Sequence, residues 1–285
     1  MVTQKIGAME LVGYSMAGEE NVITVPEFDV GFDFGRGPRE LMTINNVCLS
    51  HGHMDHAAGI AYYFSQRFFL DIAPGTVILH KSLVRPVERL MEVWQDIEGH
   101  PSPMKLVGVE PNQDHPIRRD LLVRPFAVNH RAPSLGFSII ERRHKLKAEY
   151  AGLSGPQLVE LKKQGVQIEH NIELPRVTFC GDTAAGGFLN RHDVKNAEVL
   201  LLECTFFDDD HRERARLGRH FHVRDLVEVL PSLDCQHIVL LHVTRRTPLA
   251  LAKAVLARNV RADILERVTF FMDRPPRRRS APAEP

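Results

Sequence analysis

Residues 42–56 read Met-Thr-Ile-Asn-Asn-Val-Cys-Leu-Ser-His-Gly-His-Met-Asp-His, an apolar run ending directly in His51-x-His53-x-Asp55-His56. The apolar run predicts a buried strand, so the polar motif stands where a strand gives way to a loop. Site residues concentrate at such junctions on α/β scaffolds. Imidazole and carboxylate are donors suited to Zn²⁺, and four of them within six residues can converge on a small volume.

Other strand ends carry the same donor types. LLVRPFAVNH ends in His130, RVTFCGDT carries Asp182, and HIVLLHVT carries His242. One loop supplies too few ligands for two metals, and these three residues complete a dinuclear set. The remaining histidines, among them His80, His100, His115, His144, His170, His192, His211 and His237, lie in polar or turn contexts and read as local or solvated.

Upstream of the motif, residues 10–16, 21–27 and 29–35 read as strands punctuated by glycines. Downstream, residues 57–68 read as a helix, 76–80 as a strand and 82–97 as a helix with Trp94 turned to the core. Strands at 121–130 and 134–142 precede a polar, Lys-rich, partly helical insert at about 144–174. Strands at 176–183 and 198–206, a helix at 223–233, a strand at 237–244 and a helix at 248–260 follow. This rhythm predicts two mixed sheets packed together with helices outside, an αββα sandwich of α/β class in one domain over 1–273. The Pro/Arg-rich tail, 274–285, is predicted to be disordered, its Arg277-Arg278-Arg279 a solvated end.

Composition narrows the classes. The chain has 285 residues, 44% hydrophobic and 25% charged, which is ordinary globular usage and excludes collagen-like and disordered chains. No apolar run approaches the roughly 20 residues that span a bilayer, and no basic-then-apolar leader opens the chain, so a cytoplasmic protein without a membrane partner is expected. Cys48, Cys180, Cys204 and Cys235 are far apart and read as reduced thiols, three of them in apolar stretches. Thirty-six basic residues balance thirty-six acidic ones, so nucleic-acid binding has to rest on local patches. Candidates are Arg142-Arg143-His144-Lys145-x-Lys147, Lys162-Lys163, and Arg212, Arg214, Arg216 and Arg219.

The strand, the His-x-His-x-Asp-His loop, a distant His, Gly181-Asp182-Thr183 and a late His together resemble the metallo-β-lactamase superfamily. Glu203-Cys204-Thr205-Phe206 is similar to the Glu-Ala-Thr-Phe element of ribonuclease Z, the tRNA 3′-end endonuclease. Leu241-His242-Val243-Thr244-Arg245-Arg246 is similar to its final motif. YSMAGEEN, VPEFDVGFDFGRGP, AEYAGLSGPQLVELKKQGVQI and LLLECTFFDDD look most like the short plant-type form. The resemblance implies two zinc ions per subunit, with Mn²⁺ or Fe as other occupants of such a site. It gives His51, His53 and His130 to one metal, Asp55, His56 and His242 to the other, and Asp182 to both. It further implies precursor tRNA as substrate and a homodimer. This chain departs from the pattern in lacking a recognisable long Gly/Pro-rich arm, in Arg245 where a small residue is usual, and in Thr247 where a Tyr often stands.

Two metals about 3.5–4 Å apart can lower the pKa of a bound water toward about 7 and clamp a phosphodiester. In the family Asp55 orients or deprotonates that water. The ribose 3′-oxygen must be protonated as it leaves, and a His paired with a carboxylate is suited to that task. Glu203 and His222 fit the pair, His222 being favoured by the resemblance alone, with His220 two positions away as the other choice. Arg246 is the candidate phosphate contact, and Asp33 in FDFGRG a carboxylate that orients metal-bound His. The competing expectation is a hydrolase of the same fold for a small substrate, such as a cyclic nucleotide phosphodiester, a lactone or a thioester.

Overall fold

A computed structural model describes residues 1–272, so the 274–285 tail lies outside the described residues. Its first sheet orders β1 (Val2–Ile6), β2 (Met9–Met16), β3 (Glu20–Val25), β4 (Val30–Phe32), β5 (Asn46–Leu49), β6 (Thr76–His80) and β7 (Lys105–Val109) as they occur in the chain. The second contains β8 (His115–Arg118), β9 (Leu121–Ala127), β10 (Leu135–Leu146), β11 (Glu169–Phe179), β12 (Val199–Glu203), β13 (His237–Leu241) and β14 (Val268–Phe270), again in sequence order. The helices are α1 (Met54–Ala57), α2 (Ile60–Phe69), α3 (Lys81–Glu98), α4 (Gly155–Lys163), α5 (His192–Lys195), α6 (Arg212–Gly218), α7 (Val223–Val229), α8 (Leu249–Asn259) and α9 (Ala262–Leu265).

The two sheets face each other across a buried layer that includes Leu11, Ile23, Val25, Phe32, Cys48 and Ile78 from one and Val123, Phe137, Ile139, Phe179, Leu201 and Val239 from the other. Phe32 and Phe179 meet at the middle, ring centroids 4.9 Å apart. The outer faces are covered separately, the first by α2 and α3 around Tyr63, Phe64, Val87 and Met91, the second by α7 to α9 around Leu226, Leu230, Ala252 and Leu256. Strands buried on both faces read as continuous apolar runs, as VLLLE and HIVLL do.

Each sheet begins antiparallel and turns parallel in its site-bearing half. β4 to β7 run parallel in the first, and β11 to β14 in the second. The carboxyl ends of β5, β11, β12 and β13 therefore open at one edge of the sandwich, where α/β proteins bind ligands.

Two sequence expectations change. The 144–174 insert does not interrupt the strands. β10 and β11 continue into it as a paired ribbon, with His144 opposite Asn171 and Leu146 opposite Glu169. The ribbon carries α4, whose start is fixed by a Ser154–Gln157 capping box. Trp94 is not in the core: α3 buries Val87 and Met91, while Leu90, Val93, Trp94 and Ile97 lie on its outer face, Trp94 38% exposed.

Candidate metal centre

β5 delivers Ser50 and His51, both fully buried, to the sheet edge. The chain then turns through Gly52, and α1 places Asp55 and His56 one turn further on, with His53 as its N-cap. From the opposite sheet, β9 leads to His130, β11 to Asp182 and β13 to His242. Gly181 precedes Asp182 at φ +59°, and a Cβ there would stand 2.9 Å from the Ser50 Cβ. Only glycine lets the two sheets close on each other at this point.

The structure brings these residues together. His51, His53, His130 and Asp182 offer donor atoms within 4.8 Å of one another, and Asp55, His56 and His242 form a second such group. Asp182 stands between them, with Oδ2 3.3 Å from His56 Nε2 and 3.8 Å from His51 Nε2, and Oδ1 3.5 Å from His242 Nδ1.

The outward nitrogen of four rings is tied to an acceptor. His51 Nδ1 donates to Ser50 Oγ at 3.0 Å, His56 Nδ1 to Asp33 Oδ2 at 2.7 Å, His130 Nδ1 to Arg219 O at 3.3 Å, and His242 Nδ1 to Thr205 Oγ1 at 3.0 Å. In a neutral ring this tautomer leaves Nε2 bare and aimed inward. Asp33 also accepts from Asn21 Nδ2, Ser50 N and Ser50 Oγ, a fully buried hub beneath the centre.

This arrangement asks for cations. Bare His51 Nε2 and His53 Nδ1 face each other at 2.9 Å, and His130 Nε2 lies 3.4 Å from the same His53 nitrogen. His56 Nε2 is buried without a hydrogen-bond partner, close to Asp182 and 3.7 Å from Asp55 Oδ2. Such an orphaned atom costs about 1–3 kcal/mol unless something fills the gap. Burial, with the neighbouring imidazole of His56, pushes the His51 pKa down to about 2, so this ring stays neutral. Burial acts downward on His56 too, yet the Asp182 and Asp33 carboxylates outweigh it and hold its pKa well above the usual imidazole range. A proton is thus drawn to the spot a divalent ion would occupy. The donor chemistry and the orphaned nitrogen both fit divalent metal.

Glu203, at the end of β12 and 2% exposed, accepts from Thr183 N (2.7 Å), Thr205 Oγ1 (2.6 Å) and Phe221 N (3.2 Å). Its fourth bond comes from His220 Nδ1 at 2.8 Å. This corrects the pairing expected with His222. His222 is the N-cap of α7, 1% exposed; its Nδ1 accepts from Arg224 N and its Nε2 donates to Asp208 O at 3.0 Å. The reason is local: His222-Val-Arg-Asp225 is a capping box, with Asp225 accepting from His222 N. An N-cap with a carboxylate three residues on, before the apolar run of a helix, was the signal that separated the two histidines.

His220 instead lines a cavity of about 360 Å³ with His53, Asp55, Asp182, His242, Arg214 and Arg246. Burial lowers its pKa, but Glu203 outweighs that and lifts it to about 9. Arg246 lines the same cavity, whereas Arg245 is engaged by Glu19 at 2.5 Å. Sequence reasoning did not find the β2–β3 hairpin, which ties both half-sites together. Gly18 N donates to Asp55 Oδ2 at 2.9 Å, and Ser15 Oγ accepts from His242 N at 2.9 Å and donates to Asn21 Oδ1. Among the basic clusters, Arg142 and Arg143 are neutralised by Glu173 and Glu141, and Lys162 by Glu169.

Comparison with known proteins agrees with this geometry. The family model described as "Beta-lactamase superfamily domain" matches residues 27–243. The tRNase Z TRZ1 of Arabidopsis thaliana is 34% identical over 251 residues, 85% of this chain and 90% of the relative. The chloroplastic tRNase Z TRZ2 of the same plant is 31% identical, over 82% and 67% of the two chains. Among solved structures, the short form of human tRNase Z (ELAC1) superposes with a TM-score of 0.56 at 15% identity, covering 93% of this chain and 90% of that one. The metallo-β-lactamase fold protein YhfI of Bacillus subtilis gives 0.62 at 13% identity, covering 92% and 95%. With two packed sheets, a histidine-rich edge and relatives this similar over most of its length, the chain belongs to the beta-lactamase superfamily and, within it, to the ribonuclease Z family.

Proposed function

We propose that this metal-dependent hydrolase binds two zinc ions and cleaves the phosphodiester joining the 3′ trailer to precursor tRNA. The observation that carries the reading is the Glu203–His220 pair, 2.8 Å apart, beside the buried donor cluster. Acyl transfer at such a site has little need of a second acid, whereas departure of a ribose 3′-oxygen does.

His51, His53 and His130 would hold one metal and Asp55, His56 and His242 the other, with Asp182 within reach of both groups. When bound, the metals supply a hydroxide nucleophile at neutral pH and neutralise charge on the non-bridging oxygens. Asp55 orients the nucleophilic water, its Oδ2 fixed by the Gly18 amide. Burial, the largest influence on Asp55, acts upward but is outweighed by His242 and His56, which keep the carboxyl low and ionised. Glu203 keeps His220 protonated, and Nε2, the nitrogen not bound to Glu203, donates to the leaving oxygen. Arg246 contacts the scissile phosphate. Asp33 orients His56 and, through Ser50, His51.

The subunit pairs with a second copy through the outer face of α2 and α3. Leu90, Val93, Trp94 and Ile97 fall on one side of α3 at helical spacing, and Phe68 and Phe69 of α2 pack on His100 at the same end. An apolar stripe of this extent marks an interaction surface. All four cysteines are buried and unpaired, which suits the reducing cytoplasm, and no described helix is long and apolar enough to cross a membrane.

Metal-loaded protein should cut a 3′-extended pre-tRNA just after the discriminator base and also hydrolyse bis-p-nitrophenyl phosphate. His220→Ala should lower pre-tRNA cleavage by about 10²-fold or more, with a far smaller effect on the diester, because nitrophenolate leaves without a proton. Turnover of the diester with no cleavage of pre-tRNA would sink the tRNA reading and leave a small-substrate hydrolase.

A further inference from the structure

Two guanidiniums line the cavity above the donor cluster, Arg214 from α6 and Arg246 from the loop after β13. Neither has an ion-pair partner among the described residues. Their neighbours do: Arg216 pairs with Glu213 at 2.6 Å, Arg224 with Asp209 at 2.7 Å and Arg245 with Glu19 at 2.5 Å. Asp55 and Asp182 line the same cavity, but both belong to the donor cluster; once they are engaged by metal, the two arginines leave an excess of positive charge that favours an anion between them.

The stretch of backbone that carries Arg214, itself exposed, is fixed by the way α6 is anchored. At the carboxyl end Arg219 adopts φ +56°, its guanidinium donates to His130 O at 3.0 Å, and its carbonyl accepts from His130 Nδ1. At the amino end Asp208 O accepts from His222 Nε2, and Asp209 is clamped by Arg224. Ala215 is buried beneath the helix. α6 is therefore docked on a metal donor at one end and on the α7 cap at the other. The cavity, at about 360 Å³, has room for more than one phosphodiester group, and the scissile one is assigned above to Arg246.

We infer that Arg214 is a specificity-determining residue that binds a phosphate adjacent to the scissile phosphate, so that the site selects a polynucleotide strand over an isolated diester. This rests on the endoribonuclease reading above. A guanidinium forks onto phosphate oxygens with two parallel bonds, which lysine cannot reproduce, though lysine keeps the charge. Arg214 thereby couples the strand direction to the metals and to His220, which lines the same cavity.

The test uses full-length, metal-loaded protein, a 3′-extended pre-tRNA, and two versions of it in which one or the other phosphate flanking the cleavage site is replaced by a neutral methylphosphonate. Arg214→Ala should raise KM for the native RNA about tenfold, lower kcat by less than threefold, and reduce the log–log salt slope by about one. Arg214→Lys should restore the salt slope and part of KM. One of the two methylphosphonates should weaken wild type about as much as the Ala substitution does, and then leave Arg214→Ala no worse. If Arg214→Ala loses as much as wild type to both methylphosphonates, or if the loss falls on kcat alone, the assignment is wrong while the endoribonuclease reading stands. Wild type that cannot cut the native RNA removes both.

Discussion

At the level of single residues, two histidines separated by one phenylalanine have opposite duties. His220 donates to Glu203 and lines the metal cavity, while His222 closes the first turn of α7. His222→Ala should therefore cost about 1 kcal/mol of stability through loss of the cap, with kcat on pre-tRNA within about twofold of wild type. Chemical denaturation and single-turnover cleavage read the two effects apart. A drop of 10²-fold in cleavage without loss of stability would return the acid role to His222. The metal-capable residues were legible in sequence because each is a His or Asp at the end of an apolar run. The partners that set their tautomers, Ser50, Thr205 and the Arg219 carbonyl, were not, since a serine, a threonine or a peptide group carries no sign of whom it will face.

At the level of elements, α3 shows how a periodic pattern can be read correctly and placed wrongly. Its apolar positions predict the helix well, but more of them exist than one face can bury. Val87 and Met91 go inward, leaving Leu90, Val93, Trp94 and Ile97 outside. Ile97, 65% exposed, contributes little to the fold. Ile97→Lys should leave the circular dichroism spectrum unchanged and shift the protein from dimer toward monomer in light scattering at micromolar concentration. A wild-type monomer under those conditions would rule out the proposed face. The β10–β11 ribbon shows the opposite error. Its polar composition suggested an interruption, yet the ladder continues where apolar alternation stops, with Arg142 directly opposite Glu173 and ion-paired to it across the strands.

For the whole molecule, the donors come from both sheets: His51, His53, Asp55 and His56 follow β5, while His130, Asp182 and His242 follow strands of the second sheet. Metal bound here joins the two halves and stabilises only the folded state. At a hundredfold excess over Kd the gain is about 2.7 kcal/mol, and chelation should lower the melting temperature by about 5–10 °C, recovered on adding zinc back. A melting curve indifferent to chelator and zinc would argue against a metal bridging the sheets. Asp182→Asn, which removes the carboxylate between the two groups, should largely abolish the zinc-dependent gain.

The sequence by itself determined the class of fold, the strand ends that bear the chemistry and the identity of the metal-capable residues. Those features depend on local apolar periodicity and on which side-chain types can donate to a metal, and both are written in neighbouring residues. Which arginines stay unpaired at the cavity, and how the β2–β3 hairpin ties Asp55 to His242 through Gly18 and Ser15, were decided only by the tertiary structure. The physical reason is distance along the chain. These contacts join residues 37 to 227 positions apart, and nothing in either partner's own neighbourhood indicates the other until the chain folds.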